Sequence, residues 1–203
     1  MKFPLFAALS LSSVTAMAAT QTVVLETPVT YAPGSEVVQQ VKNECHIEDM
    51  LATRVGNVLS KRNKGGPGTV AVGADTGGSQ VLRLQISHVL GIGGGAWTGP
   101  KAITVNAELL EDGKVVRNTK VNRWSIGGFW GAFKGTCSIL DRSAIVIAKD
   151  MARWVRDPSY VVKDEGPPKD ASSAEAVAAD PAAAPLHAPA TELAAEPATA
   201  PVE

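Results

Sequence analysis

The sequence predicts an α+β domain in which an antiparallel sheet of three to four strands carries two helices on one face. Three patterns predict this class: an apolar stripe at helical spacing over residues 47–62, alternating strands over residues 80–90 and 102–124, and a second helical stripe over residues 138–156. The predicted order is β-α-β-β-β-α, in a single domain of residues 19–162.

The N-terminus is typical of a cleavable secretory signal peptide. A lysine is followed by a short apolar stretch, residues 5–14, and then by the small residues Ala16 and Ala18. Cleavage after Ala18 would remove residues 1–18. Because the apolar stretch is too short for a bilayer of about 30 Å, we expect no transmembrane span. We expect a periplasmic or secreted protein.

The first half of the domain is predicted as a strand followed by a helix. Residues 22–31 are rich in β-branched side chains, and Pro28 indicates a sheet edge or a break. Residues 35–44 fit either a helical turn or an extended segment. Residues 47–62 are predicted as an amphipathic helix, with two basic residues suited to its negative C-terminal end.

The second half is predicted as three strands and a closing helix. Residues 80–90 alternate as in a half-buried strand, with His88 on the apolar side. An Asp-Gly pair at position 112 suits a type I′ turn, so residues 102–124 are predicted as an antiparallel hairpin. Residues 138–156 carry an apolar stripe and end shortly before a proline, as a helix would.

The charge of the chain is divided between the domain and its C-terminal segment. Residues 163–203 are dominated by Ala, Pro and acidic residues and lack aromatic residues, so we predict a disordered acidic tail. Residues 19–162 contain 16 Lys and Arg against 12 Asp and Glu, whereas the tail contains 2 against 8. The formal net charge of −1 hides this asymmetry. We expect no nucleic-acid partner.

Cys45 and Cys137 are the only cysteines of the chain. Since exported proteins meet oxidising conditions, we predict a disulfide between them, spanning 92 positions. Such a bond would join the starts of the two predicted helices. A reactive or metal-binding thiol is not supported, because no Cys-x-x-Cys occurs and His46 is the only nearby imidazole.

No local catalytic or metal-binding signature is present. Residues 91–96 match Gly-x-Gly-x-x-Gly/Ala after a strand, but another strand follows where dinucleotide binding needs a helix. His46, His88 and His187 are scattered without ligand spacing, and Gly-x-Ser-x-Gly is absent. We predict no catalytic residue, no metal and no cofactor, although a triad can assemble from distant positions.

Large aromatic residues occur in two glycine-rich stretches that are predicted as connections. Aromatic residues on such connections can anchor a protein, a glycan or a membrane interface. Alternatively, they fold over an open end of the sheet and fill its core. If they bind a partner, the contacts are Trp97, Phe129, Trp130 and Phe133.

The order of parts also carries a resemblance. Residues 80–156 contain a strand, a glycine-rich connection, a hairpin with Leu-Glu-Asp-Gly-Lys-Val-Val at residues 110–116, a second glycine-rich connection and a closing helix. This plan resembles small envelope proteins of Gram-negative bacteria and is similar to the periplasmic domain of the curli-secretion lipoprotein group. The chain departs from that group because no lipidation cysteine follows the signal peptide. The resemblance implies a non-enzymatic envelope role and no specific residues.

We therefore expect a non-enzymatic exported protein that binds another envelope component, a protein or a glycan, through its glycine/aromatic connections. Two alternatives stay open. One is an exported hydrolase whose site assembles from His88 and dispersed carboxylates, and the other is an inhibitor of a secreted enzyme. The sequence predicts no oligomeric state.

Overall fold

The computed structural model describes residues 21–91, 100–125 and 135–166, and the predicted signal peptide lies outside them. The sheet order is β3-β1-β4-β5-β6, and β2 also pairs with β4. Along the chain the elements are β1 (Val23–Thr27), β2 (Thr30–Val37), α1 (Gln39–Cys45), α2 (Ile47–Arg62), β3 (Thr69–Ala71), β4 (Gln80–Leu90), β5 (Lys101–Glu111), β6 (Lys114–Ser125) and α3 (Thr136–Trp154).

The predicted antiparallel sheet of three to four strands with two helices is wrong. The described part of the chain has a mixed sheet of six strands and three helices. β1 and β2 both run parallel to β4 along the same edge, and β3 runs parallel to β1. The physical reason is that α1 and α2 carry the chain back between β2 and β4, and a crossover of this kind makes the flanking strands parallel.

Where the sequence pattern is local, the predicted elements are confirmed. α2, β4 and the β5–β6 hairpin lie at the predicted positions, and α3 differs from its predicted bounds by two residues at each end. Asp112 and Gly113 have φ values of 48° and 76°, as the predicted type I′ turn requires. Pro28 separates β1 from β2, and the ambiguous residues 35–44 form the end of β2 and most of α1.

The hydrophobic core lies between the sheet and the helices. Its helical members come mainly from the apolar stripes of α2 and α3, with Val41 and Cys45 of α1, and its strand members come mainly from β1, β4 and β5. Burying one valine, leucine or isoleucine side chain fully contributes roughly 1.5–3 kcal/mol to the free energy of unfolding. The fully buried members include Leu25, Leu51, Val55, Leu59, Leu82, Ile86, Val105, Leu140 and Ile147.

The prediction that His88 lies on the apolar side of its strand is also wrong. The register of β4 against β5 shifts between Ile86 and His88, as at a β-bulge, so the alternation changes phase there. Val89 continues the buried side of the strand instead, at 3% exposure. The His88 side chain is 42% exposed, and its Nδ1 lies 3.7 Å from the carboxylate of Glu36.

A buried ion pair anchors the segment that follows α3. Arg123 Nε donates to Asp150 Oδ2 at 2.6 Å, and the two side chains are only 5% and 9% exposed. The Tyr160 hydroxyl donates to the other oxygen of Asp150 at 3.3 Å, and Arg123 Nη1 donates to the carbonyl of Lys163 at 2.7 Å. The pair therefore holds α3, β6 and residues 160–163 together.

Removing the carboxylate of this pair should destabilise the protein strongly. Asp150→Ala leaves the Arg123 guanidinium buried without its counter-charge, so we expect the free energy of unfolding to fall by about 3–5 kcal/mol. Urea denaturation followed by tryptophan fluorescence measures this change.

Asp141→Ala is the matched control. It removes the carboxylate that pairs with Arg54, where the two side chains are 42% and 27% exposed, and should cost about 1 kcal/mol or less. Equal losses in the two variants would contradict the anchoring role of the buried pair.

Candidate functional site

The two connections that carry the predicted binding aromatics start at the same end of the sheet. β4 ends at Leu90, which pairs with Ala102 of β5, and Ala102 pairs in turn with Trp124 of β6. Residues 92–99 therefore join β4 to β5 at the end from which residues 126–134 leave β6. We call this end, defined by Leu90, Ala102 and Trp124, the loop end.

The predicted contacts themselves belong to these connections. Trp97 lies in the first connection, and Phe129, Trp130 and Phe133 lie in the second, all outside the described residues. The described residues that flank them are Gly91, Pro100, Ser125 and Gly135.

The disulfide lies beside the point where the second connection re-enters the domain. The Sγ atoms of Cys45 and Cys137 are bonded, at 1.93 Å. Cys45 is the last residue of α1, and Cys137 is the second residue of α3. One turn further along α3, Asp141 receives two hydrogen bonds from Arg54 of α2, at 2.8 and 2.6 Å. The start of α3 is thus tied to both preceding helices.

α1 also packs against the start of the first connection. A Cβ atom on Gly91 would lie 2.4 Å from Cγ2 of Val41, a distance that real Cβ contacts do not reach. Val41 is itself buried, at 6% exposure, so it has little room to move away. Packing against α1 therefore explains the first glycine of the Gly-x-Gly-x-x-Ala match, with no need for a bound phosphate.

Lys101 is the residue of this region that sequence reasoning missed. It begins β5 opposite Ser125, and it is fully buried. Burial lowers the pKa of its amine, because a low-dielectric environment disfavours the charged form. No sequence signal identifies it, since a lysine at the first position of a strand is usually exposed.

His88 lies two residues before Leu90 on β4 and pairs in register with Glu36 of β2. Among the described residues no hydroxyl or thiol donates a hydrogen bond to His88. Of the groups that a hydrolase site would need, the described residues therefore place only the carboxylate of Glu36 beside the His88 imidazole. In residues 21–91, 100–125 and 135–166, no three His, Cys, Asp or Glu side chains group as metal ligands. No helix in the same ranges is long and apolar enough to cross a membrane.

Comparison with known proteins gives structural similarities only. No protein-family model and no curated protein matches the chain. One similar solved structure is a Xanthomonas campestris protein of the family DUF330, with a TM-score of 0.42 and 15% identity over 68% of this chain and 85% of that chain. A minor lipoprotein from Acinetobacter baumannii has a TM-score of 0.39 and 12% identity over 66% and 90%. The PelC dodecamer from Paraburkholderia phytofirmans has a TM-score of 0.38 and 17% identity over 63% and 89%. TM-scores this low assign neither a family nor a function to this chain.

The burial of Lys101 can be tested by amine labelling of the folded protein. We expect its acetylation to be at least about tenfold slower than that of Lys114 and Lys120, because reaction at a buried amine requires local opening. Lys114 and Lys120 are exposed on the hairpin and serve as internal controls. Peptide mapping by mass spectrometry gives the three rates, and denaturant should make them equal. Equal rates in the native protein would contradict the burial of Lys101.

Proposed function

We propose that this chain is an exported, non-enzymatic envelope protein that binds another envelope protein through the aromatic residues of its two loop-end connections. The observation that carries the proposal is the register of β4, β5 and β6, which starts both connections from neighbouring strand ends. Large aromatic residues on adjacent connections can form one patch, and buried aromatic anchors dominate the energetics of many interfaces.

Export is supported by the N-terminal sequence and by the cysteine pair. Residues 1–18 have the charge, apolar stretch and small residues of a secretory signal peptide. The Cys45–Cys137 bond suits an oxidising compartment, since disulfides persist outside the cytoplasm. Both features point to the periplasm or the exterior, without choosing between them.

A rigid frame under the connections supports a binding role. The disulfide, the packing of Val41 on Gly91 and the buried Lys101 all lie in or beside the region from which the connections start. Binding loses less conformational entropy when the frame is ordered beforehand. The connections thus have firm attachment points.

A protein partner is favoured over a glycan by the chemistry of the four aromatics. Phe129 and Phe133 have no polar atom that could bind a sugar hydroxyl and could contact a sugar only by stacking. Trp97 and Trp130 each add one donor only, so these four residues offer few of the hydrogen bonds that a sugar's hydroxyls require. Aromatic residues are enriched in the buried centres of protein interfaces.

The proposal is tested by partner capture from cells that produce the full chain. Trp97→Ala with Trp130→Ala should lower co-purification of an exported partner by at least about tenfold, because truncating a hot-spot tryptophan costs about 2 kcal/mol or more. The partner is identified by mass spectrometry after crosslinking in intact cells.

The control variant is Val115→Ala with Val116→Ala at the opposite end of the sheet. These valines are 48% and 46% exposed beside the hairpin turn, so their truncation should leave capture unchanged. Undiminished capture by the tryptophan variant would overturn the proposed site, and exclusive capture of a glycan would overturn the proposed partner class. An intact Met1 in the native protein would overturn export.

A further inference from the structure

A basic groove lies between α2 and α3. The disulfide lies at the N-terminal ends of both helices, and Arg62 and Arg156 approach each other at the C-terminal ends. The two helices therefore run parallel. The pKa of the Arg62 guanidinium is lowered mainly by burial and further by the positive charge of Arg156. Two positive charges therefore lie close together at the C-terminal ends of the two helices. The groove has a volume of about 230 Å³.

The groove has a largely apolar floor and basic rims. Val58, Ile145 and Ala148 provide apolar lining, and Arg54, Lys61 and Lys149 provide the charges. Arg54 is already paired with Asp141. Lys61 and Lys149 are exposed, and neither forms a salt bridge with a carboxylate of the described residues. The groove therefore presents two cationic groups, one from each helix, to an acidic ligand.

We propose that the acidic C-terminal segment of this same chain, residues 167–203, occupies the groove between α2 and α3. The segment contains six Asp and Glu against one Lys, so its charge is complementary to the rims. It is rich in Ala and Pro and lacks aromatic residues, which suits a shallow groove with a small apolar floor.

The segment begins beside β6, the strand at the end of the sheet order on which α3 packs. Asn122 of β6 donates to the carbonyl of Glu165 at 3.3 Å, and the described chain ends one residue later at Gly166. α3, which forms one wall of the groove, packs on β6. The remaining 37 residues could span on the order of 100 Å when extended, far more than the radius of a domain of this size.

Tethering makes weak contacts sufficient. A segment joined to its own binding site by a short flexible linker has an effective concentration in the millimolar range. A dissociation constant of about 1 mM or lower, from the ion pairs at Lys61 and Lys149 together with contacts to the apolar floor, is then enough to keep the groove occupied for at least half of the time. An external acidic ligand would have to displace the segment.

The test measures protection of the segment in the full chain against a protease specific for glutamate. Its cleavage sites include Glu175 and Glu192, and release of the C-terminal fragments is followed by mass spectrometry. Lys61→Gln with Lys149→Gln should speed this cleavage about threefold, the size of effect expected when exposed ion pairs are lost.

The matched control is Lys114→Gln with Lys120→Gln, which removes two exposed lysines from the hairpin and should leave the cleavage rate unchanged. At about 1 M salt, where charges are screened beyond about 3 Å, the groove variant and the control should be cleaved equally fast. Equal cleavage rates of the groove variant and the control variant at low salt would overturn the proposal.

A second measurement separates a segment bound by its own chain from one bound by a second copy. Carbodiimide crosslinking is applied to a mixture of isotope-labelled and unlabelled full chains. Crosslinks from Lys61 or Lys149 to residues 167–203 that stay almost entirely within one isotopic species support the proposal. In an equal mixture, binding by a second copy would join labelled to unlabelled chains in about half of these crosslinks, and that result would overturn the proposal in favour of a second copy.

Discussion

The bond between Cys45 and Cys137 is the constraint on which the loop end depends. It closes a separation of 92 positions and joins the end of α1 to the first turn of α3. On the chain-entropy model a loop of this length contributes about 4–5 kcal/mol, which is comparable with the whole stability of many domains. The same bond holds α1, which packs on Gly91, beside the start of α3, where residues 126–134 re-enter the domain. The disulfide therefore lies close to the start of the first connection and to the end of the second.

Local sequence patterns predict the parts of this fold that depend on local contacts. α2 follows from its apolar stripe, and the β5–β6 hairpin follows from alternation on both sides of an Asp-Gly turn. The parallel pairs of β1 and β2 with β4 could not be predicted in the same way, because their partners lie far apart in the chain. β3 spans only three residues, and the bulge before His88 changes the phase of a strand that otherwise alternates.

The same distinction applies to the candidate site. Composition singled out Trp97 and Trp130, and the export signal suggested the pairing of the cysteines, since neither inference needs knowledge of the fold. Lys101 and the Arg123–Asp150 pair were not predicted, because their burial is set by tertiary packing that sequence alone does not show. In the sequence these residues look like ordinary surface charges. Only the sheet register and the docking of α3 reveal that they are enclosed.

Hydrogen–deuterium exchange on the full chain, compared with a Cys45→Ala, Cys137→Ala variant that remains folded, tests most directly whether the disulfide orders the loop end. The account predicts a modest loss of protection throughout, from the lower global stability, and a distinctly larger loss in α1, at the start of α3 and at Leu90 and Ala102. The strand ends beside the turn at Asp112 should show only the general loss. An equal loss at both ends of the sheet would contradict the account.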